Sequence, residues 1–247
     1  MSKAVLPNDP RADWTRRTAM VALVTAVCGC VSNRYPRDVP QQTIAPIPPS
    51  APDAETSKPK IEPLASRVAR ANPQISPSVA HAIEYVLQQA SDHPSAAVLD
   101  FAAHSSTPRF HVIDRASAQV LQSFRVAHGH GSVGKRDDGY AEVFSNEPGS
   151  NASSLGLYQT AETYISGVYP GLAMRLDGLS PTNSNARSRF IVIHEARYMD
   201  PESWKGKKKG RPGLSDGCFV FSKADRDVVI SQLHGGALIY ACYEKSR

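Results

Sequence analysis

The chain has 247 residues, which is enough for one domain of medium size with further segments beside it. Apolar residues make up 41% and charged residues 21% of the sequence, and this composition argues against collagen-like, wholly disordered and polytopic membrane proteins. The net charge of +5 is small and is partly carried by the N-terminal segment, so it does not indicate a nucleic-acid partner.

Glycine and proline are distributed unevenly along the chain. Only one of the 16 glycines precedes Gly129, whereas eight of the 19 prolines fall between residues 30 and 64. This distribution predicts three parts: an N-terminal segment over 1–30, a proline-rich segment over 31–75, and a folded domain over 76–247.

Residues 1–30 have the features of an export signal. Arg16 and Arg17 precede an apolar run over 18–27, which is too short to cross a bilayer core of about 30 Å as a helix. The run ends at Val27-Cys-Gly-Cys30, which resembles the lipobox of bacterial lipoproteins and makes Cys30 the predicted lipidation site. The paired arginines also resemble a twin-arginine signal, so the export route stays open. The alternative is a buried apolar helix with two incidental cysteines.

Within residues 31–75, the stretch 31–63 shows no sustained apolar period, so it cannot bury enough surface to offset the entropy lost on ordering. We expect a disordered tether, with a low-complexity tail of no function as the alternative. Because polyproline-like chains rise about 3.1 Å per residue, such a tether could hold a domain tens of ångströms from a membrane surface. Together, 1–30 and 31–75 predict a protein exported to the periplasm or cell envelope and anchored to the membrane by a lipid.

Two helices are expected in the folded part. The first begins at Ser76-Pro77 and continues to about residue 91, because apolar residues then recur at helical spacing. The second covers 223–233 and ends at Gly235-Gly236.

Short β-type runs dominate the rest of the domain. They cover 97–102, 110–114, 120–126, 190–194 and 237–243, and a further apolar strand follows residue 218. Because these strands do not alternate with helices, the sequence predicts a mostly β fold, an antiparallel β sandwich or barrel with peripheral helices.

The two cysteines of the domain, Cys218 and Cys242, differ in their surroundings. Cys218 follows a glycine-containing turn and precedes an apolar strand, whereas Cys242 lies within a strand and is predicted to be packed core. In an oxidising compartment the pair could instead form a disulfide. We favour Cys218 as a reactive thiol.

A reactive thiol needs a base, and His194 is the best candidate among the eight histidines. It ends an apolar strand, where side chains become accessible; the alternative is a strand-end histidine without a role. His128 and His130 could form a metal pair, which would favour a zinc hydrolase. Since no HxxEH or CxxC motif accompanies them, we predict no metal and no cofactor.

Two further features point to chemistry near Cys218. The backbone N–H groups of Gly217 and Cys218 lie in a tight turn and could stabilise an oxyanion. A basic run over 205–211 lies between His194 and Cys218 in sequence. It is either a solvated loop or a surface that attracts substrates with carboxylates.

Several motifs follow one another in order through the domain. They are Val126-Ala-His-Gly129, Phe144-Ser-Asn-Glu-Pro-Gly149, Ser153-Ser-Leu-Gly-Leu-Tyr158, Glu162-Thr-Tyr164, Arg175-Leu-Asp-Gly-Leu179, Asn185-Ala-Arg-Ser-Arg189, Ile191-Val-Ile-His194 and Ser215-Asp-Gly-Cys218. Together they resemble the L,D-transpeptidases of bacterial cell walls, the YkuD-type catalytic domain, and most closely the murein L,D-transpeptidase catalytic domain family. The resemblance covers residues 97–243.

The resemblance implies that Cys218 attacks a peptidoglycan stem tetrapeptide, releases D-alanine and forms a thioester, with His194 as the base. The backbone carbonyl of Glu195 would orient His194, the Gly217 and Cys218 amides would form the oxyanion hole, and Ser215 and Asp216 would shape the turn. An amine acceptor would give a 3-3 cross-link. Water as acceptor would make the protein an L,D-carboxypeptidase or amidase-type hydrolase, and an inactive site would leave a non-catalytic wall-binding module.

The sequence departs from the family pattern at two of these positions. Many relatives have glycine or serine where this chain has Glu195, and a second histidine where it has Asp216. The Glu195 carboxylate could raise the pKa of the neighbouring base or obstruct the acceptor.

Overall fold

A computed structural model describes residues 62–169 and 171–244. The predicted export signal, Cys30 and residues 31–61 of the predicted tether lie outside the described residues. Within the described ranges, no helix is long and apolar enough to cross a membrane.

The folded part begins earlier than the sequence predicted. Helices α1 (Leu64–Ala71) and α2 (Pro77–Gln88) pack together, and Val68 of α1 is fully buried. The assignment of 64–75 to a disordered tether is therefore wrong. Helix α1 has only eight residues, which is too short for a stable isolated helix, so its stability comes from tertiary packing, which a local pattern does not reveal.

Apart from short 3-10 turns, the described residues contain eight strands and two further α-helices. They are β1 (Ser95–Asp100), β2 (Phe110–Asp114), β3 (Val120–Phe124), β4 (Gly156–Ile165), β5 (Leu172–Gly178), β6 (Val192–Glu195), α3 (Pro201–Trp204), β7 (Phe219–Phe221), α4 (Lys223–Leu233) and β8 (Leu238–Cys242). The eight strands form one sheet in the order β3-β2-β1-β8-β4-β5-β6-β7. The mostly β fold with peripheral helices is thus confirmed.

Five of the seven neighbouring strand pairs are antiparallel, and two, β1–β8 and β6–β7, are parallel. Strand β2 and helix α4 have the bounds that the sequence predicted. The first predicted helix ends at Gln88 rather than near residue 91. Strands β4 and β5 were not predicted, because polar residues such as Gln159 and Glu162 interrupt their apolar pattern.

The central strands are buried on both faces. In β1, Ala97 and Leu99 pack into the core that includes α4, whereas Ala96 and Val98 pack into the core that includes α2. This follows from the alternation of side chains along a strand. The parallel pair β6–β7 ends the strand order, and it positions the two predicted catalytic residues.

Candidate active site

Strands β6 and β7 bring His194 and Cys218 into one cavity. His194 lies on β6 opposite Val220 of β7, and Cys218 immediately precedes β7. Both residues are 4% exposed. The cavity has a volume of about 240 Å³ and is lined by Tyr169, His194, Glu195, Ala196, Tyr198, Leu214, Ser215, Asp216 and Cys218.

Hydrogen bonds of Ser215 hold the turn before Cys218. The Ser215 hydroxyl donates to the Cys218 carbonyl at 2.9 Å, and the Ser215 carbonyl accepts from the His130 N–H at 2.7 Å. Gly217 has φ of +106°, and a Cβ atom there would lie 2.6 Å from the Ala152 carbonyl oxygen. Glycine is therefore required at this position for both conformation and space.

The backbone amide of Gly217 is already engaged within this turn. It donates to the Ser215 hydroxyl at 3.2 Å, which is a long hydrogen bond. A ligand oxygen at this amide would therefore share it with Ser215.

The His194 ring is oriented from two sides. Its Nδ1 lies 2.8 Å from the Glu195 carbonyl oxygen, and because a carbonyl only accepts, Nδ1 carries the proton and Nε2 is the free acceptor. The Tyr169 ring stacks on the imidazole with centroids 3.6 Å apart and planes 18° apart. Burial lowers the pKa of His194 below its usual value, so the ring is neutral at pH 7.

The Cys218 thiol is also neutral at rest. Its Sγ donates to the Phe190 carbonyl at 3.5 Å. Phe190 itself has a left-handed backbone conformation, with φ of +57°. Burial raises the pKa of the Cys218 thiol, while the Val192 N–H and the Tyr169 hydroxyl act in the opposite direction as hydrogen-bond donors. The site thus contains a neutral thiol and a neutral imidazole.

The Glu195 carboxylate is neutralised by Arg226 of α4. Glu195 Oε2 lies 2.8 Å from Arg226 Nη2, and the two side chains are 12% and 3% exposed. Arg226 also contributes to the low pKa of His194, although burial is the larger cause. Of the two effects the sequence left open, a raised pKa of His194 is therefore not observed.

The two histidines proposed as a metal pair contact different partners. His128 is buried and accepts a hydrogen bond from Arg109 Nη2 at Nδ1, at 3.1 Å, and burial together with Arg109 lowers its pKa to about 3. The exposed His130 lies 3.0 Å from an Asp216 carboxylate oxygen. In the described ranges, no three His, Cys, Asp or Glu side chains are grouped as metal ligands. The zinc-hydrolase interpretation therefore has no support from these two side chains.

The basic run over 205–211 borders the site. Arg211 is buried and pairs with Asp137, which also lies 2.6 Å from Lys209 Nζ. A second cavity of about 470 Å³, lined in part by Lys207 and Lys208, shares Tyr198 and Leu214 with the first. Lysine residues thus line the cavity adjoining that of His194 and Cys218.

His194 and Cys218 both lie within a part of the chain that matches a known protein family. The profile of the L,D-transpeptidase catalytic domain matches residues 69–242. The chain belongs to this family. The family membership predicted from the ordered motifs is confirmed, and the domain is that of an L,D-transpeptidase-family enzyme.

Several solved structures are similar to this L,D-transpeptidase-family chain at low sequence identity. An L,D-transpeptidase from Mycobacterium smegmatis is 14% identical, with 60% of this chain and 58% of that chain covered and a TM-score of 0.35. L,D-transpeptidase 1 from Mycobacterium tuberculosis is 12% identical, with 60% and 61% covered and a TM-score of 0.33. An L,D-transpeptidase from Stackebrandtia nassauensis is 11% identical, with 74% and 77% covered and a TM-score of 0.35. The chain spans about three fifths of the length of the two mycobacterial proteins. No curated protein matches the sequence.

Three residues at the site were not found from the sequence: Tyr169, Phe190 and Arg226. Tyr169 lies in the β4–β5 loop and carries no pattern of its own, whereas Phe190 was placed in the predicted strand 190–194, which in the structure begins only at Val192. Arg226 did carry a signal, because it occupies the buried face of α4 together with Val229, Ile230 and Leu233. A single arginine on an apolar helix face indicates a buried ion pair.

Proposed function

We propose that this protein is a peptidoglycan L,D-transpeptidase, an acyltransferase with Cys218 as nucleophile and His194 as general base. The observation that carries the proposal is the cavity shared by His194 and Cys218 within an L,D-transpeptidase catalytic domain. The bond from Nδ1 to the Glu195 carbonyl leaves Nε2 free to accept the thiol proton. The substrate is a stem tetrapeptide of peptidoglycan.

In the first half of the reaction, Nε2 of His194 accepts the proton of Cys218 as Sγ attacks the carbonyl of the diamino acid. Because both groups are neutral at rest, this transfer accompanies the attack rather than preceding it. The backbone amides of Cys218 and Gly217 are the proposed donors to the oxyanion. Collapse of the tetrahedral intermediate leaves a thioester and expels D-alanine, whose amine takes the proton from His194.

In the second half, an amine on the diamino acid of a neighbouring stem attacks the thioester. His194 accepts the amine proton and returns a proton to Sγ, which restores the thiol and leaves a 3-3 cross-link. This mechanism requires no metal or cofactor. Ser215 and Asp216 act as shaping residues of the turn, Ser215 through its bonds to Gly217 and Cys218.

A hydrolase on the cell wall is the first alternative. Water would take the place of the amine and release a tripeptide stem, which is L,D-carboxypeptidase activity; amidase-type hydrolysis would use the same thioester. A non-catalytic wall-binding module is the second alternative, and it would form no thioester.

The products formed from a purified disaccharide tetrapeptide separate these functions. The full chain is incubated with this substrate, and the products are analysed by liquid chromatography and mass spectrometry. Free D-alanine with a cross-linked dimer supports the transpeptidase, and D-alanine with tripeptide alone supports the hydrolase. Binding to sacculi without either product would overturn both and support the binding module.

We further propose that residues 1–30 direct the protein to the periplasm or cell envelope and that Cys30 carries a lipid. The apolar run and the lipobox-like sequence support this proposal. Cells producing the protein are grown with a palmitate analogue, and label on the wild type that is lost in Cys30→Ser is the expected result. Equal labelling of the two proteins would contradict it.

A further inference from the structure

Arg226 joins three segments that meet behind the imidazole of His194. Its Nη2 donates to the Glu195 carboxylate at 2.8 Å, and its Nη1 donates to the backbone carbonyl of Leu172. Leu172 is the first residue of β5 and follows the loop that carries Tyr169. One buried guanidinium therefore ties α4 to β6 and to the start of β5.

Arg226 has a third partner on α4 itself, because its Nε lies 2.8 Å from a carboxylate oxygen of Asp227. The other two partners, Glu195 and Leu172, lead directly to His194. The Glu195 backbone carbonyl accepts the bond from His194 Nδ1, and Tyr169 stacks on the imidazole face. Gly171, next to Leu172, lies against the guanidinium, since a Cβ atom there would be 3.5 Å from Arg226 Nη2. Movement of the guanidinium would therefore affect the edge and the face of the ring together.

A buried ion pair of this kind is not explained by packing alone. Taking an arginine and a glutamate out of water has a desolvation cost, and apolar residues often stabilise a core as well or better. Arg226 is also surrounded on α4 by Val229 and Ile230, which pack into the apolar core. At this place an apolar pair could fill the same volume. What Glu195 and Arg226 add is their directed hydrogen bonds.

We infer that the Glu195–Arg226 ion pair positions His194, by fixing the carbonyl that orients the ring and by seating the Tyr169 loop on its face. Both are positioning residues, since neither side chain touches the proposed reacting atoms. The inference rests on the proposed function, in which His194 is the base.

The charged and titratable groups around His194 predict shifts of opposite sign for the two halves of the pair. Asp216 and Cys218 come from the segment before β7, and Glu195 comes from β6. Arg226 and its ion-pair partner Asp227 come from α4, Tyr169 from the β4–β5 loop, and Tyr198 from the segment between β6 and α3. In Arg226→Gln, a cation that lowers the pKa of His194 is lost and a buried carboxylate is left unpaired, so this pKa rises. In Glu195→Gln, Arg226 keeps only Asp227 as a carboxylate partner, so less negative charge offsets Arg226 near His194 and the pKa of His194 falls.

The test measures kcat, KM and the pKa of His194 in full-length wild type, Arg226→Gln, Arg226→Lys and Glu195→Gln. D-alanine release from the disaccharide tetrapeptide gives kcat and KM as functions of pH. Titration of the His194 ring by ¹⁵N NMR, with the resonances assigned through His194→Gln, gives the pKa and the tautomer without requiring turnover. Arg70→Gln is the matched control. It removes an exposed arginine of α1, whose Nη2 lies 2.7 Å from a Glu62 carboxylate oxygen.

We expect Arg226→Gln to lower kcat about 10- to 100-fold with KM changed less than about threefold, a loss typical of a misplaced catalytic group. The acidic limb of kcat/KM should move to higher pH in Arg226→Gln and to lower pH in Glu195→Gln. Arg226→Lys should recover part of kcat, and Arg70→Gln should match wild type. If Arg226→Gln does not fold, Glu195→Gln and Arg226→Lys carry the test.

Unchanged kcat and unchanged His194 titration in the folded variants would overturn the positioning role. If wild type releases no D-alanine, the proposed function fails, and the NMR titration alone decides the positioning role. A pKa and tautomer of His194 that are the same in wild type and Glu195→Gln would then reject it, and opposite shifts in the two variants would support it.

Discussion

Cys218 and Cys242 are alike in every property that burial controls. Each is 4% exposed, and each thiol donates to a backbone carbonyl at 3.5 Å, Cys218 to Phe190 and Cys242 to Leu99. Burial raises the pKa of both thiols, that of Cys242 to about 12. Burial and acidity therefore do not separate a packing cysteine from a reactive one.

The neighbours of the two thiols differ. Cys242 ends β8 in the apolar core with α2, and its charged neighbours are Asp100 and Glu244, which oppose a thiolate. Cys218 borders a cavity with His194 and has charged neighbours of both signs, since Asp216 opposes its thiolate and Arg189 favours it. What distinguishes Cys218 is a base, an open cavity and compensating donors.

The two cysteines should differ most in activity. Cys218→Ala should lower kcat for D-alanine release at least about 10⁴-fold, since removal of a nucleophile leaves only binding and oxyanion stabilisation. Cys242→Ala should stay within about threefold of wild type, because this thiol packs in the core. Comparable losses in the two folded variants would restore a shared role such as a disulfide.

The rates of alkylation of the two thiols should differ by about 100-fold or more, because Cys218 borders the cavity that contains His194 whereas Cys242 packs in the apolar core. Peptide mapping after iodoacetamide treatment of the native full chain gives the rate at each cysteine. Since the pKa of Cys218 is raised, its rate should keep increasing up to at least pH 9. A plateau already at pH 7 would show a resting thiolate–imidazolium pair instead.

Tyr169 should influence Cys218 and His194 and leave Cys242 unaffected. Tyr169→Ala removes the stacked ring and the hydroxyl near Sγ, so we expect kcat to fall about 10-fold. Tyr169→Phe keeps the ring and should lose only about threefold, the size of one modest hydrogen bond. Equal effects of the two substitutions would assign the role to the hydroxyl alone.

In the free energy of unfolding, the Cys242 substitution should have the larger effect, the reverse of the order expected for activity. Cys242→Ala should lower the free energy of unfolding by about 1–2 kcal/mol, because it leaves a void in a packed core. Cys218→Ala should cost less than about 1 kcal/mol, because its side chain already borders a cavity. Urea unfolding of both variants measures this, and a larger loss for Cys218→Ala would contradict the packing described above.

Low pH should reduce the stability of the fold through His128, a buried histidine that contacts neither cysteine in the hydrogen bonds described above. Its pKa in the folded chain is lowered to about 3, so below its ordinary value of about 6.5 the unfolded chain binds a proton that the folded chain does not. The free energy of unfolding should fall as pH decreases from about 6.5 towards 3, by up to about 1.4 kcal/mol per pH unit from this residue. His128→Gln should flatten this dependence in urea unfolding, and an unchanged slope would contradict it.

The sequence predicted those parts of the molecule that depend on local pattern. Strand β2 and helix α4 have strong periodicity and were placed with their observed bounds. His194 was proposed as the base because it ends an apolar strand, and Cys218 as the nucleophile because it follows a glycine-containing turn; the structure brings the two into one cavity.

The parts that were missed depend on tertiary contacts. Helix α1 is stabilised by packing on α2, and the stacking of Tyr169 on His194 depends on where the β4–β5 loop lies. The role of Glu195 was left open because its partner, Arg226, lies 31 residues further along the chain. A local pattern contains no information on such distant pairs.

Intact-mass spectrometry after incubation with a carbapenem shows most directly whether Cys218 is the nucleophile. Full-length wild type, Cys242→Ala and Cys218→Ala are compared under reducing conditions. We expect one covalent adduct on wild type and on Cys242→Ala, and none on Cys218→Ala. An adduct that persists in Cys218→Ala, or an unchanged mass in all three proteins, would contradict it.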